Sequence, residues 1–316
     1  MRLRRVEHVS AEECRSVDGL MRAYARAGVL GAGALGEACN ILEEMVRERA
    51  RVFLGIAGCI VAGGMRRVVT ELIRMGAVGA VVTNGASVVH DVVEALGGEH
   101  YAGSFCAADA ELHERGIGRM GNVYTKMESF TAFEDYMQGL LAGMSEQQRS
   151  NLSVRELLSE IGASLKDRHS FLRAAHEKGV PVFSPAITDS MVGLQLFFFS
   201  QNNTLVLNAV KDMREMAQLV IEAERVGALF LGGGVPKHYI LGACLLRGGI
   251  DYGIQITLDR EDAGSLSGAK LEEGVSWGKT ARHARVVSVT GDVTMVLPLL
   301  VASLRERMKE WREGTG

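Results

Sequence analysis

The chain has 316 residues, of which 35 are Lys or Arg and 38 are Asp or Glu, and its formal net charge is −3. The length is enough to bury a large hydrophobic core, and the slight acidic excess argues against nucleic acid as the main partner. No apolar run approaches the roughly 20 residues of a membrane-spanning helix, and the first residues lack the apolar core of a signal peptide. We therefore expect neither a nucleic acid nor a membrane as partner.

Short apolar runs that are typical of buried strands alternate along the chain with longer runs of helical periodicity. In chain order, the predicted strands are 52–56, 77–83, 180–183, 205–207, 228–231, 252–256 and 286–289, and the predicted helices are 20–27, 65–75, 88–96, 211–225 and 294–308. Continuously apolar strands indicate a sheet covered on both faces, and the alternation predicts parallel strands with right-handed crossovers. Because there is no internal repeat or obvious linker, we predict a single α/β domain over residues 1–316.

The cysteines are odd in number and widely spaced. They are Cys14, Cys39, Cys59, Cys106 and Cys244. No CxxC pair and no metal-ligand spacing occurs among them, so the pattern predicts a reducing, cytoplasmic setting and no metal site.

A glycine pattern near the start of the chain matches the dinucleotide fingerprint G-x-G-x-x-G at Gly31, Gly33 and Gly36. That fingerprint functions only when it follows a strand within a βαβ unit. Here residues 20–27 have helical periodicity instead, and no acidic residue lies at the required place after a second strand. We therefore interpret the pattern as a tightly packed corner between two helices.

Residues 273–279 place a carboxylate (Glu273), an indole (Trp277) and an amine (Lys279) close together. A lysine that reacts with carbonyls or imines must be uncharged part of the time, which requires desolvation or nearby positive charge. Trp277 could wall such a pocket or hold a cation on its face, and Glu273 could bind an ammonium group. The alternative is that Lys279 is an ordinary solvated lysine.

Three glycines, Gly232 to Gly234, follow a predicted strand and precede a predicted helix. Such a loop lets main-chain amides approach a pyrophosphate at a helix N-terminus, but on its own it could equally be a tight turn. His238 in the following helix could transfer a proton or be structural. Asp189, after the strand at 180–183, could cap a helix.

Several segments, in a fixed order, resemble deoxyhypusine synthases. Glu-Gly-Val-Ser-Trp-Gly-Lys at 273–279 is similar to the active-site segment of that family. The other similar segments are Val-Phe-Ser-Pro-Ala-Ile-Thr-Asp at 182–189, Leu-Gly-Gly-Gly-Val-Pro-Lys-His at 231–238, Gly-Ser-Leu-Ser-Gly-Ala at 264–269 and Leu-Pro-Leu-Leu-Val-Ala at 297–302. Weaker similarity extends back to about Leu20, so the resemblance covers most of the chain.

The resemblance implies a role for each matching residue. Lys279 would be the nucleophile and His238 a group that transfers a proton or orients the amine. The substrate-binding residues would be Glu273, Trp277, Ser267 and Gly264, and the cofactor-binding residues would be Gly232, Gly233, Gly234, Asp189, Asp292, Asn84, Gly85 and Ser265. It also implies a Rossmann-like, doubly wound parallel sheet with helices on both faces.

The family reaction is the transfer of a 4-aminobutyl group. Its members bind NAD and remove a hydride from spermidine, after which the lysine captures the resulting imine and 1,3-diaminopropane leaves. The aminobutyl group passes to a lysine of translation factor 5A, and the retained NADH reduces the new imine. The resemblance further implies a homotetramer with sites at dimer interfaces.

The chain departs from the family pattern in several binding loops. Ala57-Gly58-Cys59 replaces the usual Thr-Ser-Asn segment, and His90 occupies one place of a lost acidic pair. Leu194 replaces an aspartate that holds a spermidine amine, Gly242 replaces an asparagine, and Ala263 replaces an acidic residue. Since a buried ammonium without an anionic partner is strongly disfavoured, these changes favour the same type of reaction more than the same substrate.

Three hypotheses follow. The first is a deoxyhypusine synthase that acts on a protein lysine. The second is a related enzyme that moves an aminobutyl group onto a small amine such as putrescine, as homospermidine synthases do. The third is a non-catalytic NAD-binding partner subunit, although such a subunit has no need for Lys279.

Overall fold

The computed structural model describes residues 4–12 and 14–314 of the chain. Its α-helices are α1 (Val17–Ala27), α2 (Leu30–Arg47), α3 (Arg66–Arg74), α4 (Gly85–Ala95), α5 (Asp109–Glu114), α6 (Glu128–Gly143), α7 (Glu146–Arg149), α8 (Val154–Ser164), α9 (Phe171–Lys178), α10 (Met191–Ser200), α11 (Ala209–Ile221), α12 (Gly234–Cys244) and α13 (Val293–Gly314). Its strands are β1 (Arg51–Ile56), β2 (Ala80–Thr83), β3 (His100–Ala102), β4 (Ile117–Met120), β5 (Val123–Lys126), β6 (Val182–Phe183), β7 (Val226–Leu231), β8 (Ile250–Thr257) and β9 (Thr280–Thr290).

The chain divides into two compact units. Unit 1 comprises the chain up to Gly55 and from Ala217 onward, and unit 2 comprises Ile56–Met216. The protein is an α/β protein with a six-stranded parallel sheet flanked by helices. Unit 1 supplies the neighbouring strands β1-β7-β8-β9, and unit 2 supplies the pair β6-β2.

The register of the parallel strands follows from their apolar sequences. In unit 1, Leu229 of β7 pairs with Ile254 of β8, which pairs with Val287 of β9. In unit 2, Val81 of β2 pairs with Val182 of β6. Every residue of β7 and of β2 is buried, as expected for strands with both faces covered. The predicted parallel α/β architecture is therefore confirmed, although β2 begins at Ala80 rather than at residue 77.

One predicted strand is wrong and three strands were not predicted. Residues 205–207 form no strand, and Leu207 makes only an isolated bridge with Leu152. The run is short and half of Val206 is exposed, so it does not enter a sheet. The strands β3, β5 and β4 form a separate antiparallel sheet in unit 2. Most of their residues are at least partly exposed, so they lack the apolar pattern that identified the other strands.

The glycines of the fingerprint-like pattern lie inside α2, which confirms the helix–helix corner. A Cβ on Gly33 would lie 2.5 Å from the main-chain carbon of Gly28, and a Cβ on Gly36 would lie 2.3 Å from the main-chain nitrogen of Ala25. Glycine at both positions lets α1 and α2 pack against each other, and no strand precedes them.

A buried ion pair holds unit 2 together at its centre. Asp91 of α4 is fully buried and accepts a 2.6 Å hydrogen bond from Arg66 Nε of α3. The same carboxylate accepts hydrogen bonds from Ser170 Oγ at 2.7 Å and from the main-chain nitrogen of Leu172 at 3.1 Å, at the start of α9. One carboxylate therefore joins three helices. Within the described part of the chain, no helix is both long and apolar enough to cross a membrane.

Candidate functional site

The glycine loop at the carboxyl end of β7 packs directly against the loop that follows β8. Gly232 (φ 82°) donates a main-chain hydrogen bond of 2.8 Å to Ile256 O, and Gly234 has φ 62°. A Cβ on Gly233 would lie 2.4 Å from Ser267 Cα, and the Gly234 amide donates to Ser267 Oγ at 2.9 Å. The packing of these two loops therefore requires glycine at position 233, and the left-handed backbone favours glycine at positions 232 and 234.

The loop after β8 is a compact turn that carries the other predicted ligand residues of this region. Gly264, with φ 64°, ends a single helical turn at Glu261–Ala263. The main-chain oxygen of Ser265 accepts hydrogen bonds from Gly268 N at 3.2 Å and Ala269 N at 3.1 Å. Ser265 is exposed. The structure thus brings Gly232–Gly234 and the 264–269 loop together.

Lys237 anchors the 264–269 loop and was missed as a site residue by sequence reasoning. Its side chain is 1% exposed, and its ammonium donates hydrogen bonds to Gln255 Oε1 (2.9 Å), Leu266 O (2.9 Å) and Ala269 O (2.5 Å). Burial lowers the pKa of Lys237 to about 8, while the charge of nearby Glu273 opposes that shift. Most lysines are solvated, so position in the sequence alone carried no signal for this role.

His238, the next residue of α12, has its side chain exposed. The structure places it one turn into the helix that follows the glycine loop, where the sequence predicted it.

The segment that ends in Lys279 forms a short 3-10 helix at Leu271–Val275 and then a tight turn. Gly278 has φ 69°, and the Lys279 amide donates a 2.8 Å hydrogen bond to Gly274 O. The Lys279 ammonium lies 5.7 Å from the centroid of the Trp277 ring, within the range of a cation–π contact. The Trp277 indole is 67% exposed, so in this chain it forms an open face rather than the wall of a closed pocket.

Within unit 1, the Lys279 main chain and the glycine loop lie at opposite ends of β8. Lys279 O accepts from Ile250 N at the first residue of β8, whereas Gly232 donates to Ile256 O near its last residue. At about 3.3 Å per residue the two points are roughly 20 Å apart. Since β9 runs parallel to β8, the chain between them, which includes residues 270–279, must return from the end of β8 to the end at which both strands begin. The glycine loop therefore follows the end of a strand, whereas Lys279 precedes the start of one.

Two other predicted residues of unit 1 have clear structural contacts. Asp292 Oδ1 accepts 2.7 Å hydrogen bonds from the main-chain nitrogen and the hydroxyl of Thr294, so it caps the start of α13. The side chain of Glu273 is exposed, and its main-chain oxygen accepts from Ser276 Oγ at 2.9 Å.

Unit 2 brings its three predicted cofactor residues to adjacent strand ends. Asn84 caps α4 by accepting from Ser87 N at 2.9 Å. A Cβ on Gly85 would lie 2.3 Å from Ser190 Oγ, so the loops after β2 and β6 touch there. Asp189 is exposed beside that contact. The cap of α10 is Ser190 and not Asp189, so the capping alternative for Asp189 is wrong.

Comparison with known proteins identifies the family. A model of the deoxyhypusine synthase family matches residues 19–304. The chain belongs to the deoxyhypusine synthase family. It is 44% identical over 298 residues to a probable deoxyhypusine synthase of Methanothermobacter thermautotrophicus, covering 94% of this chain and 96% of that one. It is 46% identical over 293 residues to a probable deoxyhypusine synthase of Methanopyrus kandleri, covering 92% and 95%.

The fold agrees with that assignment. A crystal structure of an Entamoeba histolytica protein assigned as a deoxyhypusine synthase superposes with a TM-score of 0.68 at 19% identity, covering 94% of this chain and 96% of that one. Deoxyhypusine synthases are enzymes that transfer an aminobutyl group.

The structure shows what surrounds several positions at which the sequence was interpreted as departing from the family pattern. Leu194 of α10 is 40% exposed, and a Cβ on Gly242 would meet nothing within 4 Å. His90 is buried and its Nδ1 lies 2.9 Å from His100 Nε2, whose Nδ1 lies 2.8 Å from Glu94 Oε1. Burial, assisted by the His100 ring, lowers the pKa of His90 to about 4. Sequence reasoning noted His90 but neither of its partners.

Proposed function

We propose that this protein transfers the 4-aminobutyl group of spermidine to a lysine of translation factor 5A, with NAD as cofactor and Lys279 as nucleophile. The observation that carries the proposal is the Glu273–Lys279 segment, in which the Lys279 amine lies 5.7 Å from the centre of an open indole face. A flat aromatic surface beside a reactive amine suits a flexible cationic substrate.

Lys279 performs the covalent step. Its neutral amine attacks the carbon of the substrate imine, the C–N bond to the propyl arm breaks, and 1,3-diaminopropane leaves with the proton. The acceptor lysine then attacks the Lys279 imine and frees Lys279. When bound, NAD would supply the redox chemistry, as the acceptor and later the donor of a hydride. His238, exposed beside the glycine loop, would orient or deprotonate an amine.

The residues present fit a dinucleotide. Gly233 has no side chain of its own to cap the start of α12, where the Gly234 amide donates to Ser267 Oγ, and a Cβ on Gly234 would meet nothing within 4 Å, so that helix N-terminus leaves room for a phosphate group. The residues that would hold NAD are Gly232, Gly233, Gly234, Ser265 and Asp292 in unit 1 and Asn84, Gly85 and Asp189 in unit 2. Gly264 and Ser267 would line the substrate loop.

A Rossmann-like, doubly wound arrangement within one functional domain is part of the same proposal. When the six parallel strands are numbered in chain order, the neighbours are 3-2 in unit 2 and 1-4-5-6 in unit 1. These are the adjacencies of the strand order 3-2-1-4-5-6 found in dinucleotide-binding sheets.

We infer that the protein forms a homotetramer in which neighbouring copies share their sites. We also infer that it resides in the cytoplasm. The roughly 20 Å between the Lys279 main chain and the glycine loop supports a site that a second copy completes. The five cysteines are all free thiols, which supports a reducing compartment.

A second candidate is transfer to a small amine. Leu194 supports it, because a partly exposed leucine offers no charge to the spermidine amine that an aspartate would hold.

A transfer assay read by mass spectrometry tests both candidates. Purified protein, NAD and spermidine are incubated with the host's factor 5A and, in parallel, with putrescine. We expect factor 5A to gain one aminobutyl unit with the wild type and with Lys270→Arg, an exposed control, but not with Lys279→Arg. Lysine-dependent homospermidine with unmodified factor 5A establishes the second candidate instead. If neither factor 5A nor putrescine gains an aminobutyl group, both candidate functions are wrong.

A further inference from the structure

Unit 2 contains a cavity that none of the predicted roles uses. Its volume is about 570 Å³, a size typical of small-molecule sites. Its walls are mainly apolar and flexible. They come from Val89, Met120, Met127, Phe130 and Met191. Methionine side chains adapt to an irregular ligand, and the apolar walls suit a chain of methylene groups.

One wall of the cavity is a face of the antiparallel sheet. Thr125 of β5 lies opposite His100 of β3 and Gly118 of β4, and Thr125 and Gly118 both line the cavity. Thr125 is 3% exposed, and its hydroxyl has no hydrogen-bond partner among the described residues. A buried hydroxyl without a partner costs free energy unless a ligand or water satisfies it.

A hydrogen-bonded chain places a neutral imidazole in the same cavity. Glu94, whose Oε2 lies 3.5 Å from Arg66 Nη1, accepts a hydrogen bond from His100 Nδ1–H. In one tautomeric arrangement of this chain, His100 Nε2 then accepts from His90 Nδ1–H, at 2.9 Å. This tautomer leaves a lone pair on His90 Nε2, and His90 lines the cavity. The chain therefore offers a hydrogen-bond acceptor to a ligand.

The charged groups of the lining also favour a donor-rich ligand. Arg119 is bound through two hydrogen bonds to Asp109, at 2.6 and 2.7 Å, and Glu128 pairs with Lys126 at 3.3 Å. Among the residues that the structure describes, Glu134 is a lining carboxylate without an ion pair. An aliphatic amine matches this lining, because the hydrogen-bond acceptors and the carboxylate suit its ammonium group and the apolar walls suit its methylene groups.

We propose that this cavity binds an amine end of a polyamine, with Glu134 pairing the ammonium group and His90 Nε2 and Thr125 Oγ1 accepting its N–H groups. The choice of a polyamine rests on the proposed transfer reaction. The cavity thus supplies a different set of amine contacts in a chain where Leu194 has replaced the carboxylate expected from the family. Glu94 and His100 act as positioning residues, because they hold the His90 ring and its tautomer.

Calorimetric titration of the full chain with spermidine, without NAD, tests the site. Glu134→Gln keeps the shape of the side chain and removes the charge, so spermidine affinity is expected to fall about tenfold or more. Glu128→Gln is the matched control and should change affinity less than twofold. Thr125→Val should weaken binding by a smaller factor. Equal affinity of the wild type and Glu134→Gln overturns the proposal.

A steady-state assay separates this inference from the proposed function. If the wild type transfers the aminobutyl group, Glu134→Gln should raise the KM for spermidine while kcat is kept. If Glu134→Gln transfers the group with the wild-type KM for spermidine, the cavity is not a spermidine site and the proposed function still holds. Spermidine binding that depends on Glu134, in a wild type that transfers nothing, supports the site and overturns the proposed function.

Discussion

The ammonium group of Lys237 lies 2.5 Å from the main-chain oxygen of Ala269, and this contact ties the loop after β8 to the helix after β7. Two more acceptors, Gln255 Oε1 and Leu266 O, complete the hydrogen bonding of the same ammonium at 2.9 Å each. Because the side chain is 1% exposed, water cannot replace these bonds without opening the loop. The position of the predicted substrate loop therefore depends on a lysine outside it.

Replacing Lys237 by methionine should destabilise the protein and release the 264–269 loop. Three acceptors, of which Gln255 Oε1 is buried and the other two are partly buried, lose their donor, which we expect to cost about 2–4 kcal/mol. Denaturant unfolding measures the loss, and hydrogen exchange of residues 264–269 reports the loop. Lys270→Met is the control, because that lysine is exposed and its ion-pair partner Glu261 is exposed as well. An unchanged unfolding midpoint in Lys237→Met would show that the three bonds contribute nothing.

Gly233→Ala should also displace the 264–269 loop. The new Cβ would lie 2.4 Å from Ser267 Cα, and main chain cannot yield as a flexible side chain does. We expect a loss of about 1–3 kcal/mol and weaker NAD binding. Gly242→Ala is the matched control: its Cβ meets nothing within 4 Å, and alanine stabilises a helix interior by about 0.5–1 kcal/mol. Thermal melts of both variants would contradict this account if they gave the same midpoint.

The two ends of the fingerprint-like pattern should respond differently to alanine. Gly36→Ala brings a Cβ to 2.3 Å from Ala25 N, whereas a Cβ on Gly31 meets nothing within 4 Å. Gly36→Ala should therefore cost about 1–3 kcal/mol, and Gly31→Ala should be neutral or slightly stabilising. Since neither glycine belongs to a strand–turn–helix, NAD affinity per folded molecule should stay at the wild-type value in both. A selective loss of NAD affinity in Gly31→Ala would revive the dinucleotide interpretation.

The buried ion pair of unit 2 should be the most sensitive to truncation. Asp91→Ala leaves the Arg66 guanidinium buried without its 2.6 Å partner, which we expect to cost about 3–5 kcal/mol. Asp167→Ala removes a second, 24% exposed partner of the same arginine and should cost less. Urea unfolding of both variants ranks the two. Equal losses would mean that Asp91 is no more important than its exposed counterpart.

His90 should make stability fall as the solution becomes acidic. Its pKa is lowered from 6.5 to about 4, so between these values the unfolded chain binds a proton that the folded chain does not. The stabilisation is therefore fully present above pH 6.5 and is lost as the pH falls towards 4, by about 2–3 kcal/mol. The measurement is the unfolding free energy at several pH values. His90→Gln should flatten the slope, and His8→Gln, which changes an exposed histidine, should not.

Much of the candidate site could be predicted from short stretches of sequence. The segment at 273–279 and the loops at 231–238 and 264–269 carry their own residue types and glycines, so they indicated the family and the residues of interest. Continuous apolar runs predicted β1, β7 and β8 because a strand buried on both faces needs no partner to be recognised. The strands at 100–126 were missed because their exposed faces leave no such pattern.

Contacts between distant parts of the chain decided the rest. Sequence alone determined that Lys279, Trp277 and the glycine loop are present, and that the fold is a parallel α/β fold. Only the tertiary structure placed Lys279 at the amino end of β8, buried Lys237 beneath a loop 29 to 32 residues away, and joined His90 to His100. Burial and hydrogen bonding depend on which elements pack together, and that is set by the summed packing of the core rather than by any local pattern.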